Sequence, residues 1–147
     1  METKIPPPIV TLIFIFLISF SNRLIEPFSF DNQVPIGIVI IICGLSVLIS
    51  AARVFKQLET TINPMQPAQA SKLAIIGPFK YTRNPMYLGM SIMLVGFGLI
   101  FGAKLTVCLV VLFILYITIF QIIPEERAMQ EKFTDWKDYC SKVRRWL

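Results

Sequence analysis

At 147 residues, 55% hydrophobic and only 16% charged, the chain falls short of the roughly one-quarter charged residues of a soluble domain. Its apolar residues cluster in four blocks of about 20 residues, which leaves too little chain for a separate soluble catalytic domain and excludes a nucleotide-binding α/β fold. Histidine is absent, which removes imidazole bases, most zinc sites and serine-type triads.

The expected fold is an all-α integral membrane domain over residues 1–147, with about four transmembrane helices and a cytoplasmic amphipathic C-terminal helix. The first span is read at about 5–25, after Lys4, with Pro6, Pro7 and Pro8 tolerable in a first helical turn. It could pass for a signal peptide, but Ser21-Asn22-Arg23 offers no small-x-small cleavage site, so it is read as a retained span. The second span covers about 34–52. A cytoplasmic loop over 53–84 follows, whose length and apolar content (Leu73, Ile75, Ile76, Phe79, Tyr81) point to an ordered, functional segment. The third and fourth spans, about 85–103 and 105–123, are separated only by Lys104 and must form a tight hairpin. Gly96, Gly98 and Gly102 on the third span read as close helix packing. In the tail, 124–145, Met129, Phe133, Trp136, Cys140 and Val143 recur at steps of four and three. That spacing predicts an amphipathic helix on the membrane surface or over the mouth of the bundle.

Charge sets the orientation. Lys4, Arg53, Lys56, Lys72, Lys80, Arg83, Arg127, Lys132, Lys137, Lys142, Arg144 and Arg145 fall on one side of the bilayer, against Arg23 and Lys104 on the other. Twelve against two places both termini in the cytoplasm, in the inner membrane if the source is prokaryotic. The net charge of +5 is then an orientation signal, with no domain to carry a nucleic-acid surface. Cys43, Cys108 and Cys140 form no CxxC pair, and no metal site is expected.

Two places could carry chemistry. Asn84-Pro85 has the form of an N-cap followed by proline at the first helical position, with Arg83 beside it, Tyr87 one turn on, and Gly89 leaving room for a ligand. An arginine at a helix N-terminus suits a carboxylate or phosphate, and equally suits a lipid headgroup. Glu125 and Glu126 open the tail, where the helix macrodipole alone would favour them. The hairpin brings these carboxylates to the same depth as Arg83, so arginine, tyrosine and glutamates converge over one mouth of the bundle.

The run Gly77-Pro78-Phe79-Lys80-Tyr81-Thr82-Arg83-Asn84-Pro85-Met86-Tyr87-Leu88-Gly89 resembles the signature of the isoprenylcysteine carboxyl methyltransferase and phospholipid methyltransferase superfamily. There Arg-His-Pro-x-Tyr-x-Gly is followed, after a membrane hairpin, by Glu-Glu. Here Glu125-Glu126 stands at that distance, and Asn84 replaces the common histidine. Asn63-Pro64, Pro67 and the closing Arg144-Arg145-Trp146-Leu147 are also similar to small prokaryotic members. The resemblance implies a membrane-embedded methyltransferase using S-adenosylmethionine and releasing S-adenosylhomocysteine. It implies catalytic roles for Arg83, Tyr87 and Glu126, and cofactor contacts from Gly77, Tyr81, Asn84, Pro85, Gly89, Glu125 and Glu126.

The chemistry suits a histidine-free chain, because displacement at a sulfonium needs donor and acceptor held about 3–3.5 Å apart and water excluded. The expected acceptor is a lipophilic small molecule or lipidated substrate entering from the membrane lipids, with a prenylcysteine-type carboxylate the leading class. Phospholipid or amine N-methylation and small-thiol S-methylation are the alternatives within enzymes. Outside them stands a small structural or transport subunit, which the absence of ionisable residues at mid-membrane disfavours for ion coupling.

Overall fold

The computed structural model describes residues 5–59 and 72–147, so Lys4, Asn63-Pro64 and Pro67 lie outside the described residues. All regular elements among the described residues are helical: α1 (Pro7–Ser21), α2 (Gln33–Gln57), a 3₁₀ turn (Gly77–Lys80), α3 (Pro85–Phe101), α4 (Thr106–Ile117), a π turn (Thr118–Ile122), α5 (Ile123–Lys132) and α6 (Trp136–Lys142). α2 and the continuous helical run from Thr106 to Lys132 are long and apolar enough to cross a membrane. The apolar stretch of that run ends at Ile123, and charged residues begin at Glu125. α1 and α3, with 15 and 17 residues, are shorter apolar helices spanning about 22 and 26 Å. Large apolar side chains stand exposed on the outer faces, including Leu12, Phe16, Val39, Ile42, Val107 and Leu112. That distribution suits lipid as the surrounding solvent.

Local chemistry explains why the helices end where they do. α1 opens with Pro7 in its first turn, where a missing N–H is harmless. It stops short of residue 25 because Asn22 turns away to donate from Nδ2 to the Phe101 carbonyl at 2.7 Å. Gln33 likewise donates to the Leu99 carbonyl at 2.7 Å, and the Phe28 N–H reaches Gly102 O at 2.9 Å. The α1–α2 connection is thus stitched to the end of α3, satisfying carbonyls that a helix terminus leaves open. Gly102, at φ +63°, adopts the left-handed cap that lets the chain reverse into α4. Thr106 completes the hairpin by donating to Ala103 O at 2.6 Å.

α2 and α3 pack antiparallel through reciprocal glycine contacts. A Cβ on Gly44 would lie 2.6 Å from Gly89 O, and one on Gly89 would lie 2.6 Å from Gly44 O. Seven residues along, Gly37 and Gly96 repeat the arrangement at 2.9 and 2.8 Å. Gly98 instead faces Thr106 of α4, so the glycines of α3 serve two different neighbours. Valine at position 44 would drive side-chain carbon into backbone that cannot yield. Gly44→Val should therefore cost about 3 kcal/mol, at the upper end for overpacking, read as a lower melting temperature in detergent.

The tail departs from a single 124–145 helix. Phe133 takes an extended conformation between α5 and α6, and the chain bends there. The apolar stripe survives the bend: Trp136, Tyr139 and Val143 form a buried cluster with Leu73, Met129, Phe133 and Cys140. Its partner is the segment before α3, not a helix of its own register. The Tyr139 hydroxyl seals the contact by donating to Phe79 O at 2.8 Å.

Candidate active site

At one end of the bundle the segment leading into α3 meets α5 and the chain after α6. Arg83 donates from Nε and Nη2 to Glu126 Oε1 at 3.1 and 2.8 Å. Its remaining Nη1 reaches Val143 O at 2.8 Å and Cys140 O at 3.4 Å, and the guanidinium lies 5.9 Å from the Trp136 ring centroid. Arg145 reaches the other oxygen of Glu126 from Nη2 at 2.6 Å, and its Nε is shared between both oxygens at 3.2 Å. Glu126 is therefore clamped between two guanidiniums. Burial alone would raise its carboxyl, but the hydrogen bonds from Arg145 and Arg83 hold it below the ordinary range. The same pairing raises Arg145.

Main-chain groups extend the clamp into a seam. The Arg83 N–H donates to Arg144 O at 3.0 Å, Asn84 Nδ2 to Arg145 O at 3.0 Å, and Thr82 Oγ1 to the same carbonyl at 3.1 Å. Thr82 in turn accepts from the Asn84 N–H at 3.2 Å. Trp146 closes the far side, its indole N–H reaching Thr118 Oγ1 in the π turn at 3.3 Å. Burial pushes the Tyr139 hydroxyl well above its ordinary range, which keeps it a neutral donor to Phe79 O.

Glu125 lies one residue before this clamp and does something different. It accepts a hydrogen bond on Oε1 from the Tyr87 hydroxyl, one turn into α3. Burial pushes its carboxyl up to about 8, the neighbouring Glu126 charge adds to the shift, and the Tyr87 hydrogen bond opposes it. Two adjacent carboxylates thus face opposite environments, one pinned in its charged form and the other poised to exchange a proton near neutral pH.

The structure brings Arg83, Asn84, Tyr87, Glu125 and Glu126 together and places other expected contributors elsewhere. Gly89 is buried at the α2–α3 crossing, so its missing side chain accommodates α2. Gly77, at φ +60°, turns the chain against Val54. Tyr81 is 76% exposed beside the cluster, and Pro85 is buried at the start of α3. Arg145 and Thr82 were not singled out from sequence. Arg145 enters the sequence reading as an orientation charge and as part of the closing Arg-Arg-Trp-Leu, without a role at the site.

An all-helical arrangement of the described residues, with apolar outer faces and with Arg83, Tyr87, Glu125, Glu126 and Arg145 interlocked at one end, suits a membrane-associated protein with a polar site at that end. A family model described as phospholipid methyltransferase matches residues 32–135, and the chain belongs to that family, part of the isoprenylcysteine carboxyl methyltransferase superfamily. The chain is also 43% identical over 63 residues to an uncharacterized protein of Haemophilus influenzae, covering 42% of this chain and all of that relative. No solved structure matches it significantly. The family is one of methyltransferases that generally use S-adenosylmethionine and act on lipophilic substrates.

Proposed function

We propose that this protein transfers a methyl group from S-adenosylmethionine to the amine of a lipophilic acceptor at the cytoplasmic face of the membrane. In this reading all four apolar helices span the bilayer, both termini lie in the cytoplasm, and α5 and α6 cover the site. The observation that carries the amine assignment is the Tyr87–Glu125 pair beside the Arg83–Glu126–Arg145 clamp. A carboxylate acceptor, the class read first from the signature, would want an unpaired cation to orient it. The charge of Arg83 is already paired with Glu126, and four of its five guanidinium N–H groups are committed to Glu126 and the carbonyls of Val143 and Cys140. An amine acceptor wants a proton acceptor instead, and Glu125 has the right protonation range for one.

The residues present fit the cofactor in kind. Glu125 has a second oxygen with no hydrogen-bonding partner among the described residues, Tyr81 offers an exposed ring, and Arg145 is 38% exposed at the rim. Tyr81, Asn84 and Arg145 would hold it, the ring against the base and the guanidinium toward the amino-acid carboxylate. Bound there, it supplies a methyl group on a sulfonium open to in-line displacement. Glu125 would take one proton from the ammonium of the acceptor, leaving the nitrogen lone pair free for the methyl group that the sulfonium would supply, with the thioether as leaving group. Tyr87 fixes the carboxyl by its hydroxyl, and the seam made by residues 143–145 excludes water.

Calorimetry with S-adenosylhomocysteine on detergent-solubilised protein tests the cofactor. Transfer of labelled methyl groups to phosphatidylethanolamine, a prenylated cysteine and an alkyl thiol tests the acceptor. The expected result is binding, with label appearing in the amine. Label in a carboxyl ester instead would restore the carboxylate reading, and absence of binding would end the methyltransferase reading.

A further inference from the structure

One buried polar side chain is used by nothing described so far. Gln121 is 1% exposed in a stretch of the chain that is otherwise almost wholly apolar. Its Nε2 donates to the Ile5 carbonyl at 2.7 Å, tying the π turn that follows α4 to the segment just before α1. Its Oε1 is buried and has no hydrogen-bonding partner among the described residues. Buried side-chain oxygens nearly always find a donor, so half of this carboxamide stands without the partner its burial calls for. The residue also lies in the π turn Thr118–Ile122. Such turns insert an extra residue into a helix, redirect its side chains and recur at functional sites.

Position relates this oxygen to the reacting centre. Gln121 precedes Glu125 by one helical turn, roughly 6 Å along the axis, on the membrane side of it. Thr118 of the same turn is held by Trp146, so the π turn is part of the tail seam. The neighbours Ile119 and Ile123 are exposed on the outer surface, the side from which a lipid would arrive. Along the helical run, Gln121, Glu125 and Glu126 follow one another from the apolar stretch toward its charged end.

We propose that Gln121 is a specificity-determining residue whose Oε1 accepts a hydrogen bond from an N–H of the lipid amine being methylated. This rests on the amine reading above. A primary ammonium that has given one proton to Glu125 keeps two N–H groups and a lone pair. Holding one N–H at Gln121 aims the lone pair away from the carboxamide, and neither a carboxylate nor an ether oxygen could make that bond.

Two variants and a second probe separate recognition from the tether to Ile5. Gln121→Met loses both the donor to Ile5 and the acceptor, whereas Gln121→Glu, protonated in so buried a site, keeps both. With phosphatidylethanolamine in detergent micelles as the probe, Gln121→Met should raise the acceptor KM about tenfold. Gln121→Glu should stay within about threefold of the native protein, and S-adenosylhomocysteine affinity should be unchanged in both. N,N-dimethylphosphatidylethanolamine, whose nitrogen has no N–H left once it gives up its proton, isolates the tether. Gln121→Met should leave its KM within about twofold, and a rise equal to that for phosphatidylethanolamine would overturn the proposal. Equal KM values in the two variants, or an unaltered KM in Gln121→Met, would overturn the proposal and leave Gln121 a tether, with the methyltransferase reading intact. Native protein that binds S-adenosylhomocysteine but methylates only the prenylated cysteine also overturns it. Native protein that binds no S-adenosylhomocysteine brings down the methyltransferase reading itself, and the proposal with it.

Discussion

Glu126→Ala should cost about 3–5 kcal/mol of stability, the largest loss expected from any single side-chain truncation at the site. The reason is what it leaves behind. Arg83 has a side chain only 11% exposed, and its Nε and Nη2 both depend on Glu126 Oε1. Without the carboxylate, a guanidinium remains desolvated and loses two of its four hydrogen bonds. Arg145 is 38% exposed and can turn to water, so Arg145→Ala should cost no more than about 1 kcal/mol after solvent screening. Arg83→Lys keeps the charge but loses the planar fork that meets Glu126 and two carbonyls together, and should fall between them. Denaturant unfolding in detergent, followed by tryptophan fluorescence, measures all three. Equal small losses for Glu126→Ala and Arg145→Ala would mean that the clamp is solvated and contributes little.

Glu125→Gln should leave the protein folded and lower kcat by about 10²–10³, the contribution expected of a positioned base. The pH dependence gives the sharper test. Burial holds the proton on Glu125 up to about pH 8, so the basic form accumulates only as pH rises through that value. The rate for an amine acceptor should therefore climb between about pH 6 and 9 in the native protein, and this limb should vanish in Glu125→Gln. Glutamine still accepts from Tyr87, so a packing role alone would leave the profile as it was. An intact limb with S-adenosylhomocysteine affinity reduced tenfold or more would make Glu125 a cofactor ligand and leave the base unassigned. The neighbouring glutamate cannot substitute, because Arg83 and Arg145 keep it ionised throughout this range.

Much of this arrangement was legible in the sequence because bilayer physics is coarse and strict. Apolar blocks, a hairpin with one lysine in it and Asn84-Pro85 at a helix start suffice to bring Arg83 to the level of Glu125 and Glu126. The division of labour between those glutamates was not legible, because adjacent identical residues differ only in what the fold brings opposite them. Gly89 shows the opposite failure. A glycine in a signature reads as room for a ligand, yet the reciprocal approach of Gly44 fills that room, and no local pattern in α3 reveals a partner some forty-five residues earlier. The bend at Phe133 was hidden for a third reason. The four-and-three spacing of the tail persists across it, since the stripe reports which side chains share a surface and not whether the backbone between them is continuous.

The seam between the signature and the tail is read mainly through carbonyl oxygens of Cys140, Val143, Arg144 and Arg145. Every amino acid supplies that group, so the recognition is blind to side-chain identity along most of the tail. Selection can therefore act on the two halves of the seam at different rates. Thr82, Arg83 and Asn84 are bound to their chemistry, whereas Ser141 and Arg144, whose side chains take no part in the seam, are free to drift toward whatever the membrane surface outside requires. Two relatives could then share this closure with little alike in their last residues, and an alignment judged by those residues would understate how similarly the proteins shut.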